Sequence, residues 1–289
     1  MLIHGKRSKA MNHFESTWQS FDGLEIYNQG WLTDKQPKGV ICLVHGLGEH
    51  SGRYEHVAHF FTDHEFAVIS FDLRGHGKSG GFRGHTPSAE AFLADIDLLI
   101  QEADQRYPTL PRFLYGHSLG GILVLNYTLS RKPQLNGIIA TSSGLRTSLQ
   151  EQSLKIGFAK ILGTMMPTLS MKTGLEANQI SRQADVVADY LEDPLVHDRA
   201  TLAMAKHTIA AIDWTFEHAS EFESPLLLVH GTEDLIAYAK GSEEFASLVS
   251  CDCTLKLWKG LYHETHNEPE GEQVLSYILD WINNHILVD

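Results

Sequence analysis

Serine 118 stands in Gly116-His117-Ser118-Leu119-Gly120, followed by Gly121, where an apolar strand pattern gives way to a helical one. A serine hydroxyl is a weak nucleophile at neutral pH. It needs a histidine base, and the histidine needs a carboxylate to fix its tautomer. The spacing suits a nucleophile on a sharp strand-to-helix turn. Side chains two positions either side would collide as the backbone reverses, and glycines at 116 and 120 remove them. The N-terminus of the following helix adds oriented N–H groups and a positive dipole end, both suited to an oxyanion. An ordinary glycine-rich turn can carry the same pattern, so the partners decide.

Those partners follow along the chain. His230-Gly231-Thr232-Glu233-Asp234 comes after the apolar run Leu226 to Val229, which places an acid in the loop at a strand's C-terminal end. Asp234 suits the spacing better than Glu233, by one residue of register. Leu261-Tyr262-His263 comes after the last strand pattern, with His266 a rival three residues on. The chain has 17 histidines, and position after the final strand is what singles out His263. A second oxyanion donor is expected besides the N–H of Leu119. His45-Gly46-Leu47-Gly48, after the run Val40 to Val44, offers the N–H of Leu47, its glycines allowing close backbone approach.

The elements that must hold these residues are legible as a series. Phe14 to Trp31 breaks at Asp22-Gly23 and predicts two antiparallel strands. Val40 to Val44, Ala67 to Phe71, Arg112 to Tyr115, Gly137 to Ala140, Leu226 to Val229 and Thr254 to Trp258 read as buried strands. Between them, Phe92, Ile96, Leu99, Ile100 and Ala103 fall at helical spacing after Thr86-Pro87, taken as N-cap and first helical residue. Leu119 to Leu129 and Val274 to Ile286 are further helices. This alternation predicts an α/β fold, a mostly parallel sheet flanked by helices. The stretch from Arg146 to Pro225 has helical periodicity and no convincing strand, and reads as an inserted helical cap. The expected division is an N-terminal extension over 1–13, a core over 14–145 and 226–289, and the cap over 146–225.

Composition bounds the partners. The 289 residues carry 23 Lys plus Arg against 36 Asp plus Glu, a formal charge of −13, with no dense basic block, so nucleic-acid binding is disfavoured. No apolar run approaches the roughly 18 residues that span a bilayer. Cys42, Cys251 and Cys253 supply no disulfide framework and favour a reducing compartment. Lys6, Arg7 and Lys9 lack the apolar stretch of a secretory signal, and Met11 offers an alternative start, so a cytoplasmic location is expected.

Longer motifs carry a family resemblance. His45-Gly46-Leu47-Gly48-Glu49-His50-Ser51-Gly52-Arg53-Tyr54, Asp72-Leu73-Arg74-Gly75-His76-Gly77-Lys78-Ser79-Gly80-Gly81, the serine turn, and Asp193-Pro194-Leu195-Val196-His197 inside the cap are in place. From about residue 14 onward the chain resembles the monoacylglycerol lipase and lysophospholipase group of α/β-hydrolases, which also share the order Ser, Asp, His. The resemblance implies an α/β-hydrolase fold and a serine esterase of single-chain lipid esters. It implies a triad of Ser118, Asp234 and His263, with Leu47 and Leu119 as oxyanion donors. It also implies that Glu49, Arg53 and His266 line the pocket for the alcohol headgroup. The cap adds Leu154, Phe158, Ile161 and Met165 at helical spacing, thickened by Ile156, Leu162 and Met166. That stripe suits either packing against the sheet's rim or transient contact with a membrane surface.

Other signals fall away. Gly75-His76-Gly77-Lys78-Ser79-Gly80 fits a dinucleotide fingerprint, but Gly81 and Pro87 delay the helix whose N-terminus must meet the pyrophosphate. It fails as a phosphate-binding P-loop because Asp72 stands where the first glycine is required. His263-Glu264-Thr265-His266 is one residue short of zinc-protease spacing. No cofactor and no metal are implied, and oligomeric state stays open. A small-ester carboxylesterase, a serine peptidase of the same fold and a non-catalytic binding module are the competing readings. An aspartate-nucleophile hydrolase is disfavoured because position 118 is serine.

Overall fold

The computed structural model describes residues 12–147 and 162–286. Eight strands form one sheet in the order β1-β2-β4-β3-β5-β6-β9-β10. They are β1 (Asn12–Gln19), β2 (Glu25–Leu32), β3 (Gly39–Val44), β4 (Phe66–Phe71), β5 (Arg112–His117), β6 (Gly137–Thr141), β9 (Leu226–Gly231) and β10 (Cys253–Trp258). β1 and β2 pair antiparallel through the turn at Gly23, which takes φ +79°, and β2 runs antiparallel to β4; every other pairing in the sheet is parallel. β1 begins at Asn12, two residues before the expected start of the core.

The continuous apolar runs are explained by burial on both faces. In β3, Val40, Cys42 and Val44 face one core, while Ile41 and Leu43 face the other. The first core is covered by α2 (Ala89–Arg106), α3 (Leu119–Arg131), α5 (Leu202–Glu217) and α6 (Ala239–Leu248). The second is covered by α1 (Glu55–Asp63) and α7 (Gly271–His285). This is the α/β-hydrolase arrangement, with helices on both faces of a mostly parallel sheet. The loops that follow β3, β5, β9 and β10 leave from the C-terminal ends of parallel strands, where ligands gather in such sheets.

Two local expectations are corrected. α2 starts at Ala89, capped by the Ser88 hydroxyl, which accepts from the Ala91 N–H at 3.0 Å; Thr86 instead donates to the Ser88 carbonyl at 2.7 Å. Between β6 and β9 the chain is not wholly helical. β7 (Ser170–Lys172) before α4 (Ala184–Glu192) pairs antiparallel with β8 (Arg199–Thr201) after it, and β8 leads directly into α5. Three-residue strands with largely exposed side chains carry no alternating apolar pattern to read. Residues 1–11, with Lys6, Arg7, Lys9 and Met11, and the stripe residues Leu154, Ile156, Phe158 and Ile161, lie outside the described residues. Leu162, Met165 and Met166 lie within them, 36%, 74% and 49% exposed. Among the described residues no helix is long and apolar enough to cross a membrane.

Candidate active site

Ser118 is the single residue between β5 and α3, at φ 54° and ψ −113°, a conformation that costs a side-chain-bearing residue about 1–3 kcal/mol. Its surroundings enforce the turn. Ser118 N–H donates to the Thr141 carbonyl at 3.0 Å, and its own carbonyl accepts from Ile122 and Gly144, each at 3.2 Å. A Cβ at Gly116 would lie 2.2 Å from the Gly120 carbonyl oxygen, and one at Gly120 would lie 2.1 Å from that of Val44. The turn exists only with glycine at both positions, the collision that the spacing predicts.

The loops after β9 and β10 bring two further residues to this turn. His263 Nε2 lies 2.9 Å from Ser118 Oγ, and its Nδ1 lies 2.7 Å from Asp234 Oδ2. The contacts assign a proton to Nδ1, donated to the carboxylate, and leave Nε2 to accept from the hydroxyl. Asp234 Oδ1 accepts from the N–H groups of Ile236 and Ala237 at 2.9 Å each, which fixes the carboxylate plane. Asp234 is buried, whereas Glu233 is exposed to solvent. Burial disfavours the Asp234 charge, yet His263 and His230 outweigh it and hold the carboxyl well below its usual range. Burial likewise works against the His263 imidazolium, but the Asp234 carboxylate overcomes it and raises the histidine above its ordinary value.

Leu47 and Leu119 both border the cavity beside Ser118. Leu119 is the first residue of α3, so its N–H has no partner within the helix. The loop bearing Leu47 is tied down on both sides of it. Glu49 Oε1 accepts from the Gly46 N–H at 2.6 Å, and the Gly48 carbonyl, at a φ of +80°, accepts from the His197 N–H at 2.8 Å.

The headgroup residues implied by the resemblance separate. Glu49 lines the cavity; Arg53 and His266 are not among its lining residues. Arg53 lies beneath the Tyr190 ring, its Cζ 4.8 Å from the centroid, and bonds Glu49 Oε2 at 2.7 Å. His266 is packed behind the wall, its ring 5.0 Å from those of both Tyr54 and His117, and burial lowers it to about 3. Glu264 joins this site without any mark of it in its sequence position. It lines the cavity and takes a bidentate bond from Arg53, at 2.6 and 2.9 Å. Its one signal in the sequence is the run His263-Glu264-Thr265-His266, which resembles a metal pattern rather than a part of this site. Among the described residues no group of three or more potential metal ligands gathers.

The cavity has a volume of about 810 Å³ and a mainly apolar wall, with Ile122, Leu175, Met204, Ile209 and Ile212 beyond Ser118 and His263. A family model described as Serine aminopeptidase, S33, matches residues 35–270. A monoacylglycerol lipase of Mycolicibacterium smegmatis is 34% identical over 274 residues, covering 94% of this chain and 98% of the relative. The chain belongs to the monoacylglycerol lipase-like family of α/β-hydrolases. A second relative, an uncharacterized abhydrolase domain-containing protein of Dictyostelium discoideum, is 40% identical over 89% of this chain, which spans only 27% of that protein. Among solved structures of the family, the monoacylglycerol lipase of Paleococcus ferrophilus superposes with a TM-score of 0.83 at 38% identity, covering 90% of this chain and 99% of that one.

Proposed function

We propose that this chain is a carboxylic ester hydrolase of single-chain lipids, a monoacylglycerol lipase or lysophospholipase. The observation that carries the reading is the Ser118–His263–Asp234 relay opening into a cavity of about 810 Å³ with a mainly apolar wall. Pockets of this size suit a ligand of fatty-acyl dimensions. Ser118 attacks the ester carbonyl while His263 Nε2 takes its proton. The N–H groups of Leu47 and Leu119 receive the oxyanion, and His263 then protonates the departing alcohol. Water repeats the sequence on the acyl-enzyme. Donors of this kind contribute about 3–4 kcal/mol of transition-state stabilisation. The stretch 146–225 acts as a cap over the cavity. The exposed Leu162, Met165, Met166, Leu169 and Met171 on it suit transient docking on a membrane surface.

The family model's description keeps a serine peptidase in view, and the apolar wall favours the lipid. A panel of monoacylglycerol, lysophospholipid, triacylglycerol, short aryl esters and aminoacyl amides separates the readings. Activity should rise with acyl length, by about 0.8 kcal/mol or up to fourfold per methylene until the cavity fills. Ser118→Ala should abolish turnover and labelling by a fluorophosphonate. Full esterase activity in that variant, or a preference for acetate over long chains, rejects the proposal.

A further inference from the structure

The loop that carries Leu47 is held from two separate parts of the chain. On its near side, His45 Nε2 accepts from the Leu73 N–H at 2.8 Å, so Nδ1 carries the ring proton and donates to the Gly46 carbonyl at 2.8 Å. A side chain at Gly46 would lie 3.1 Å from Ser118 Cβ, which puts the Gly46–Leu47 peptide directly over the nucleophile. Beyond Leu47, two bonds arrive from the stretch proposed as the cap. The Gly48 carbonyl accepts from the His197 N–H at 2.8 Å, and a Cβ at Gly48 would lie 2.4 Å from the His197 carbonyl oxygen. His50 Nδ1 accepts from the Gly52 N–H at 3.2 Å, so Nε2 carries the proton and donates to Asp193 Oδ2 at 2.8 Å. Asp193 follows the last residue of α4, and its Oδ1 accepts from the Leu195 N–H at 2.8 Å. The segment is fastened again further on. His197 Nδ1 accepts from the Arg199 N–H at 3.3 Å, its Nε2 donates to the Gly75 carbonyl at 3.1 Å, and the Gly84 carbonyl accepts from the Thr201 N–H at 2.8 Å. Residues 193–201 thus tie the loop after β3 to the loop after β4.

A backbone donor is only as well placed as the residues that flank it. Gly46 and Gly48 stand on either side of Leu47, and glycine restrains its own backbone least of all residues, so the restraint has to come from outside the loop. An oxyanion donor must meet its oxygen at about 2.7–3.1 Å, and a misplacement of about 1 Å can cost about 100-fold in rate. We infer that Asp193, through His50, is a positioning residue that holds the N–H of Leu47 where the oxyanion forms. The stretch over the cavity is then part of the catalytic apparatus as well as its cover, and the Asp193-Pro194-Leu195-Val196-His197 run is the point at which it acts. This rests on the serine-esterase reading above, with Leu47 as an oxyanion donor.

The test compares Asp193→Ala and Asp193→Asn with the wild type on a soluble octanoyl ester, each rate referred to the active sites counted by end-point fluorophosphonate labelling. Deleting an oxyanion donor outright costs about 100- to 1,000-fold in kcat, and displacing one should cost less. In Asp193→Ala, kcat should fall about 10- to 100-fold while KM stays within about twofold. Affinity for an octyl trifluoromethyl ketone should fall by the same factor. Its carbonyl carbon bonds Ser118 Oγ, His263 takes the hydroxyl proton, and its oxygen becomes an anion facing the Leu47 and Leu119 N–H groups. Octyl methyl ketone, bound without that addition, should keep its affinity. Asp193→Asn retains a neutral acceptor for His50 and should lose about three- to tenfold in kcat, and it decides the matter should Asp193→Ala not fold. An unchanged kcat in a folded variant, a loss carried by KM, or a trifluoromethyl ketone whose affinity does not follow kcat overturns this assignment alone. Failure of both variants to fold overturns it too, since Asp193 would then serve stability. A wild type that does not hydrolyse the ester overturns the esterase reading and this assignment with it.

Discussion

His230 and His263 converge on one oxygen of Asp234: His263 Nδ1 lies 2.7 Å from Oδ2 and His230 Nε2 lies 3.2 Å from the same atom. His230 Nε2 also faces the Ala237 carbonyl at 2.8 Å, and the Ser242 hydroxyl lies 2.8 Å from its Nδ1. With two acceptors before Nε2, that nitrogen carries the proton and Ser242 donates to Nδ1. His230 thus locks the carboxylate that orients His263, without touching the reaction centre itself.

Replacing His230 by Gln should loosen that carboxylate. One hydrogen bond to a buried charge is worth about 1.5–3 kcal/mol, so kcat should fall about 10- to 100-fold with KM little altered. Steady-state kinetics on a soluble ester check this. A fall confined to KM would place His230 elsewhere in the cycle.

The pH profile follows from His263. The base must be unprotonated to accept from Ser118, and Asp234 holds it above its ordinary value despite burial. The acid limb of kcat/KM should therefore have its midpoint above about 6.5, with a tenfold loss per pH unit below it. Asp234→Asn removes the charge that raises the histidine. Its midpoint should move down, while kcat falls by about 10⁴-fold because the tautomer is no longer held. A wild-type midpoint below 6.5 contradicts this electrostatic account.

Residues marked by local backbone constraint or by a place just after a strand, Asp234 and His263 among them, were legible in the sequence; Glu264 and the His50–Asp193 contact, marked only by distant partners, were not. Gly116, Ser118 and Gly120 announce the turn because backbone sterics allow little else there, and β3, β4, β5 and β9 announce themselves by apolar runs buried on both faces. Glu264 gave no such signal, since its role depends on Arg53, 211 positions away in the chain. His50 and Asp193 meet at 2.8 Å across 143 positions and join two recognisable motifs by a contact that neither reveals alone. The β7–β8 ladder was hidden for the opposite reason, having too little buried surface to impose a pattern.

Ser118 itself should store strain. At φ 54° a glycine relaxes where a residue with a Cβ does not, so Ser118→Gly should be more stable than Ser118→Ala by about 1–2 kcal/mol, both being inactive. Urea denaturation of the two proteins checks the sign. Gly120→Ala should go the other way, because its Cβ would lie 2.1 Å from the Val44 carbonyl oxygen. A loss of about 3 kcal/mol or outright failure to fold is expected.

Arg53→Met tests the buried ion cluster as a source of stability. Removing the guanidinium leaves Glu49 and Glu264 buried without their cation, and breaking a buried pair in this way costs about 3–5 kcal/mol. The cost should depend on pH with a definite sign. A carboxyl depressed in the folded state contributes stability above its unfolded value of 4.5, and that contribution is lost as pH falls towards the folded value of about 2. In the variant Glu264 escapes the penalty by taking up a proton, so the difference from wild type should be largest near pH 7 and shrink below about pH 4.5. Urea unfolding at pH 7 and pH 4 measures both differences. Equal penalties at the two pH values would mean that Arg53 stabilises the site through its packing against Tyr190 rather than through its charge.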